Sequence, residues 1–152
     1  MKARDVNFAD GGTDTDEILL CMHRAVDLLN RELESSSRTE NERRQYQYGI
    51  CQAYVGLGFV LFKSERYQNA ANIYSKGLDL DFCDLPLRFN MMETRASANI
   101  ILGKYEEAVR DQMYLLENDD TYFFTEAING LIRVLGELSW LKYFLAKLVC
   151  SC

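Results

Sequence analysis

His23, the sole histidine, lies two residues from Cys21, and an imidazole beside a thiolate is a common beginning of a transition-metal site. Residues two apart on a helix point to different sides, so the pair does not form a ligand set and His23 is expected to be structural or solvent-facing. Glu106-Glu107, Glu117 and Asp119-Asp120 offer carboxylates for acid–base chemistry or cation binding. They fall on the exposed face or at the end of one helical stretch, where solvation and the helix dipole account for them. The chain has no GxGxxG, P-loop, HExxH, GxSxG or EF-hand pattern, which leaves nucleotide, zinc, acyl-transfer and calcium chemistry without a signature. The expectation is a protein that is not an enzyme and carries no cofactor and no metal.

Charge narrows the partner class. A formal net charge of -6 opposes a phosphate backbone as the main partner, because nucleic-acid binding draws its affinity from clustered Lys and Arg. Arg38, Arg43 and Arg44 form the densest basic group, and Glu40 and Glu42 dilute it into a solvated helix start. The five cysteines, Cys21, Cys51, Cys83, Cys150 and Cys152, are an odd set without a CxxC pair, and the N-terminus lacks a signal-peptide pattern. Both points predict an intracellular, reducing, cytoplasmic location, with the nucleus left open. Arg, Lys and Glu interrupt every apolar stretch before it is long enough to span a membrane, so no membrane span is expected.

The elements that must position any functional residue are helical throughout. Hydrophobic residues make up 48% of the 152, proline occurs once, and no alternating strand-like block appears. Residues 1–14 are polar with a Gly11-Gly12 pair and read as a flexible tail, leaving 15–152 as one domain. Asp14 with Glu17 resembles a capping pair for a helix over 16–34, carrying Ile18, Met22, Val26, Leu29 and Leu33. Thr39 with Glu42 forms a second capping box, ahead of a long helix to Lys63. Ser64-Glu65-Arg66 breaks it, and Tyr67, Ala70, Ala71, Tyr74 and Leu78 mark the next helix. Asp84 caps a helix that tolerates Pro86 in its first turn and runs over 85–102. Gly103 ends that one, and Tyr105, Ala108, Val109 and Leu115 continue to Asn118. From Thr121 the pattern resumes, breaks around Gly136, and ends on Trp140, Phe144, Leu145 and Leu148, predicting a third hairpin and about seven helices in all.

The chain repeats itself. Tyr67 matches Tyr105 and Ala70 matches Ala108, each 38 residues apart, against a unit of about 34 residues plus a longer connection over 82–90. In the first unit Tyr54, Leu57, Gly58, Tyr67, Ala70, Tyr74 and Leu78 fall where the tetratricopeptide-repeat family places its large, small and aromatic residues, and the unit resembles that family. Ala96, Leu102-Gly103, Tyr105, Ala108 and Leu116 carry a fainter likeness in the second, where Met92 and Gln112 replace aromatics. Clear repeats span about 51–84 and 89–120, with degenerate flanks at 16–34 and 121–150.

The resemblance implies antiparallel hairpins stacked as a short right-handed solenoid, an interaction module whose concave face holds a peptide or amphipathic helix of a partner protein. Family positions carried onto this sequence place Gln52, Val55, Gly56, Phe59, Phe62 and Lys63 of the first repeat on that face, with Asn90, Glu93, Thr94, Ser97 and Ile101 of the second. The family's carboxylate clamp for chaperone tails is not matched: Val55, Phe59 and Thr94 stand where its Lys and Asn residues would be. The groove is therefore expected to be partly apolar and open to an apolar-anchored segment, or covered by the protein's own first or last helix. The alternative expectation is a structural subunit that forms a homo- or hetero-oligomer through its apolar C-terminal helix, at Trp140, Phe144 and Leu148. Cys150-Ser151-Cys152 resembles the doubly prenylated ending of Rab-family GTPases, but Cys150 continues the apolar stripe of that helix and no GTPase motif accompanies it.

Overall fold

The computed structural model describes residues 13–34, 38–118 and 122–150, with side chains over 15–34, 38–118 and 125–139. Within these residues the chain is all-helical, as α1 (Thr13–Glu34), α2 (Glu40–Lys63), α3 (Tyr67–Leu78), α4 (Leu85–Ile101), α5 (Tyr105–Asn118) and α6 (Tyr122–Cys150). The expected tail lies, apart from its last two residues, outside the described part. Those two already belong to α1, so Asp14 sits inside the first turn and cannot be its N-cap.

Local signals fixed the other boundaries. The Thr39 hydroxyl accepts from the Glu42 amide at 3.3 Å while the Glu42 carboxylate accepts from the Thr39 amide at 2.8 Å, satisfying two amides at the start of α2 that have no partner within the helix. Asp84 accepts from the Leu87 amide at 3.1 Å ahead of Pro86. The two hairpin corners are built alike. Arg66 donates to the Leu61 carbonyl at 2.9 Å and Glu65 to Phe62 at 3.0 Å, and at the second corner Lys104 donates to Asn99 at 2.8 Å and Gly103 to Ile100 at 3.1 Å. Both are paired helix-ending bonds around one left-handed residue, Glu65 with φ 61° and Gly103 with φ 72°.

Each helix packs against the next in sequence, and α2 also touches α4, which also touches α6. No contact joins α1 to α3 or α3 to α5 among the described residues. The helices thus form two rows, an inner one of α2, α4 and α6 and an outer one of α1, α3 and α5. The main core runs between the rows, through Leu57, Leu61, Ala70, Ile73, Tyr74, Met91 and Leu115. Close approach depends on small residues: a Cβ at Gly58 would sit 2.4 Å from the Tyr74 ring, and one at Gly77 would sit 2.5 Å from the Met91 sulfur. Ion pairs tie α1 to the two ends of α2, from Arg66 to Asp16 at 2.6 Å and from Arg38 to Glu32, with the Arg38 guanidinium 4.3 Å from the centre of the Tyr46 ring. Arg38 is therefore bound to neighbours rather than freely solvated.

Three expectations are corrected. There are six described helices, not seven, and no third hairpin, because α6 continues unbroken through Gly136. One exposed glycine costs a helix only about 1 kcal/mol, and no capping residue follows it. The thiols are not all unpaired: Cys51 of α2 and Cys83, just before α4, form a disulfide across Cα atoms 5.8 Å apart, while Cys21 is free and exposed. Spacing in sequence held no trace of this contact, which the α2–α3 hairpin creates. No helix among the described residues is long and apolar enough to cross a membrane.

Candidate partner-binding surface

The inner row is where the sequence-derived positions converge, and the structure sorts them. On α2, Gln52 and Phe59 are exposed, Phe59 at 52%, and Val55 is half-buried against the core. The Lys63 ammonium lies 5.3 Å from the centre of the Phe59 ring, so the stem of Lys63 shades that ring while its charge stays in water. Phe62 turns away from the open face and meets Tyr67 of α3 edge-on at 5.2 Å. Gly56 also leaves the set: it faces α1, where a Cβ would come within 2.9 Å of the Met22 methyl. Both residues lie toward the sides of α2 that meet its neighbours, a distinction that depends on where those neighbours pack.

On α4, Asn90 and Ile101 are exposed, Ile101 at 47%, and Glu93, Thr94 and Ser97 form a half-buried polar cluster. Thr94 donates to the Asn90 carbonyl at 3.1 Å and lies 3.2 Å from the Glu93 carboxylate, to which Ser97 also donates, at 3.4 Å. Burial pushes the Glu93 carboxyl above its ordinary value. The Thr94 hydrogen bond opposes this, Glu126 of α6 reinforces it, and Ser97 and Arg133 of α6 oppose it more weakly. Beneath the cluster, the Tyr74 hydroxyl is buried beside Thr94, and burial raises its pKa to about 12, a rise that Thr94 opposes and Glu93 reinforces. Sequence reasoning missed Tyr74 here, having read it only as one of the repeat's signature residues. It also missed Glu126 and Arg133, which no local pattern distinguishes from surface charges.

A further exposed side chain belongs to the same face, Tyr48 of α2. Tyr48 lies seven and eleven residues before Val55 and Phe59, which puts it on their helical stripe. That spacing was available in the sequence. Trp140, Phe144 and Leu148, and the Cys150 side chain, lie outside the described side chains, and Ser151-Cys152 outside the described residues.

The surface is thus a strip of separated apolar residues, Tyr48, Phe59 and Ile101, beside a half-buried acid. It can seat apolar anchors and accept a hydrogen bond. It assembles no nucleophile with a base, and His23 stands on α1, in the other row. Among the described residues no group of three His, Cys, Asp or Glu could hold a metal ion.

A second polar feature lies between the rows. Arg95 of α4 makes a two-pronged ion pair with Asp111 of α5, at 2.6 and 2.8 Å, and donates to Ser75 of α3 at 2.9 Å. Through these three hydrogen bonds this arginine ties three helices together. Compared with family models, curated proteins and solved structures, the chain matches none.

Proposed function

We propose that this protein is a non-enzymatic interaction module of the tetratricopeptide-repeat type, a short right-handed solenoid that binds a segment of a partner protein along its inner row. The observation carrying this reading is the alignment of α2, α4 and α6 in one row that leaves large apolar side chains open in water, Phe59 foremost. Isolated exposed apolar residues are ordinary on any protein. Three of them along α2 and α4, Tyr48, Phe59 and Ile101, suit a ligand with bulky anchors at helical spacing, i, i+3 or i+4 and i+7. The groove is polar at α4, where Glu93, Thr94 and Ser97 cluster, so the favoured ligand is an amphipathic helix with apolar anchors and a hydrogen-bond donor for Glu93. A chaperone-type acidic C-terminus is disfavoured, since Glu93 would repel it and Val55, Phe59 and Thr94 offer it no cation.

Selection from a library of displayed helical peptides tests this reading. Recovered sequences are expected to share bulky apolar residues on one face and to lose binding to Phe59→Glu protein. Failure to recover any family of peptides, or recovery of acidic C-termini whose binding is abolished by amidation, would count against it. A second reading, an assembly subunit acting through α6, is favoured by one separate observation: Ile128, Ile132 and Leu135 of that helix are all exposed.

A further inference from the structure

The outer row has a gap in it. Among the described residues α3 and α5 make no contact with each other, yet both pack on α4, and a cavity of about 260 Å³ opens between them with α4 as its floor. Spacings of three and four residues turn one stripe of each helix toward it: Gln68 with Asn72 on α3, Arg95 with Asn99 on α4, and Glu107 with Arg110 on α5. Arg95 and Asn99 each stand two residues beyond Glu93 and Ser97. At about 100° per residue that offset puts them on the opposite side of α4 from the inner-row strip. The cavity is therefore separate from the groove.

Two observations distinguish it from a gap in packing. The first is Asn99, which lines the cavity, is only 6% exposed, and has a side-chain amide with no hydrogen-bond partner among the described residues. Buried side-chain amides are nearly always bonded to protein, water or ligand. Whatever satisfies this one sits in the cavity. The second is the direction of the hydrogen bonds along the rim. A lysine has only donors, so Lys104 fixes the orientation of Gln68, whose oxygen accepts from it at 2.7 Å. The Gln68 nitrogen then donates to the Asn72 oxygen at 2.9 Å. This chain spends acceptors and leaves the Asn72 amide nitrogen and the remaining N–H groups of Lys104 as open donors. The corner that ends α4 holds Lys104 close to Asn99, since its backbone amide donates to the Asn99 carbonyl at 2.8 Å.

Charge points to the same ligand class. The lining holds three bases, Arg95, Lys104 and Arg110, and two acids, Glu107 and Asp111, a positive excess in a chain whose net charge is -6. Arg95 and Asp111 neutralise each other in their two-pronged pair. Lys104 and Arg110 then outweigh Glu107, and neither Arg110 nor Glu107 has an ion-pair partner among the described residues. Open donors therefore come from three helices: Asn72 of α3, Asn99 of α4 and Arg110 of α5. A phosphate group, with its three terminal oxygens, accepts from three directions, whereas a carboxylate offers two oxygens in one plane. The volume lies just below the roughly 300 Å³ at which pockets for organic ligands begin. That leaves room beside a phosphate for a small hydroxylated group, for which Glu107 and the Asn99 oxygen supply acceptors.

We infer that this cavity binds a small phosphate monoester, its phosphate held by Lys104 and Arg110 together with the Asn72 and Asn99 amides. The site does not depend on the inner-row groove. A ligand in it bridges α3 and α5, which have no direct contact, so occupancy stabilises the fold.

Titration of the isotope-labelled full chain with glycerol phosphate, followed through the side-chain amide signals of Asn72 and Asn99 in NMR spectra, tests it. Inorganic phosphate, glycerol and acetate are run in parallel at matched ionic strength. Saturable shifts of both amides are expected with glycerol phosphate and, more weakly, with inorganic phosphate, while glycerol and acetate leave them in place. Arg110→Gln changes an exposed side chain and is expected to weaken binding at least about tenfold. Arg44→Gln, an exposed arginine of α2, is expected to bind as wild type does. Asn99→Asp puts a carboxylate in the floor and is expected to abolish binding, with circular dichroism checking its fold; Arg110→Gln carries the test if that variant does not fold. Shifts that fail to saturate, equal shifts with acetate, or undiminished binding to Arg110→Gln would overturn the inference.

Discussion

Gly58 and Glu65 show how much single positions decide at a hairpin. Gly58 lies under the Tyr74 ring with no room for a methyl group, so Gly58→Ala is expected to destabilise the fold by about 1 to 3 kcal/mol, measured by urea unfolding. At the corresponding positions of the second hairpin, 38 residues on, Ala96 is buried with Ile100, Ala108 and Val134, and Gln112 lies against Gly130 of α6 instead. Glu65 holds the left-handed corner that Gly103 holds in the second hairpin. Replacing Glu65 with glycine removes the Cβ clash at that φ and is expected to stabilise by about 0.5 to 1 kcal/mol, after the entropy cost of glycine. Glu93 supplies a pH signature. Its folded pKa lies above the unfolded value near 4.5, so the folded state binds the proton more tightly and stability falls as pH rises from that value through the folded pKa. Glu93→Gln is therefore expected to raise the melting temperature at pH 7, and the gain is expected to vanish below pH 4.5. A gain that persists in acid would assign the effect to packing rather than charge.

Helix boundaries were legible in the sequence where one local motif decides them. The Thr39–Glu42 box, Asp84 before Pro86 and the Gly103 corner each satisfy backbone groups within a few residues, and no distant part of the chain is needed to recognise them. Gly136 misled for the complementary reason. A glycine ends a helix only when a reversal of the chain follows, and here the helix formers around it carry α6 onward. The disulfide belongs to the same scale and was invisible, because Cys51 and Cys83 meet only once α3 has folded back along α2. It closes a loop with a sequence separation of 32. On chain-entropy grounds its reduction is expected to cost about 3 to 4 kcal/mol, seen as a lower denaturation midpoint in dithiothreitol. Cys51→Ala/Cys83→Ala should reproduce that shift and abolish further sensitivity to the reductant.

Over the whole molecule, stacking two rows of helices separates two kinds of open surface: the inner row between the ends, and the flanks of the terminal helices. The candidate site was half legible. Gln52, Val55, Phe59, Lys63, Asn90, Glu93, Thr94, Ser97 and Ile101 lie along the inner row as the repeat positions implied, while Phe62 and Gly56 are claimed by neighbouring helices. Their assignment required the angle at which α1 and α3 meet α2, which a repeat pattern does not contain. Tyr48 lay outside the matched unit, yet it extends the same row. The central claim is that partner segments bind along this row through Phe59. The most direct measurement is the affinity of a library-selected helical peptide for wild type, Phe59→Glu and Leu135→Glu proteins. The account predicts at least about a tenfold loss, or 1.4 kcal/mol, for Phe59→Glu and no change for Leu135→Glu. Undiminished binding to Phe59→Glu, or a loss confined to Leu135→Glu, would contradict it.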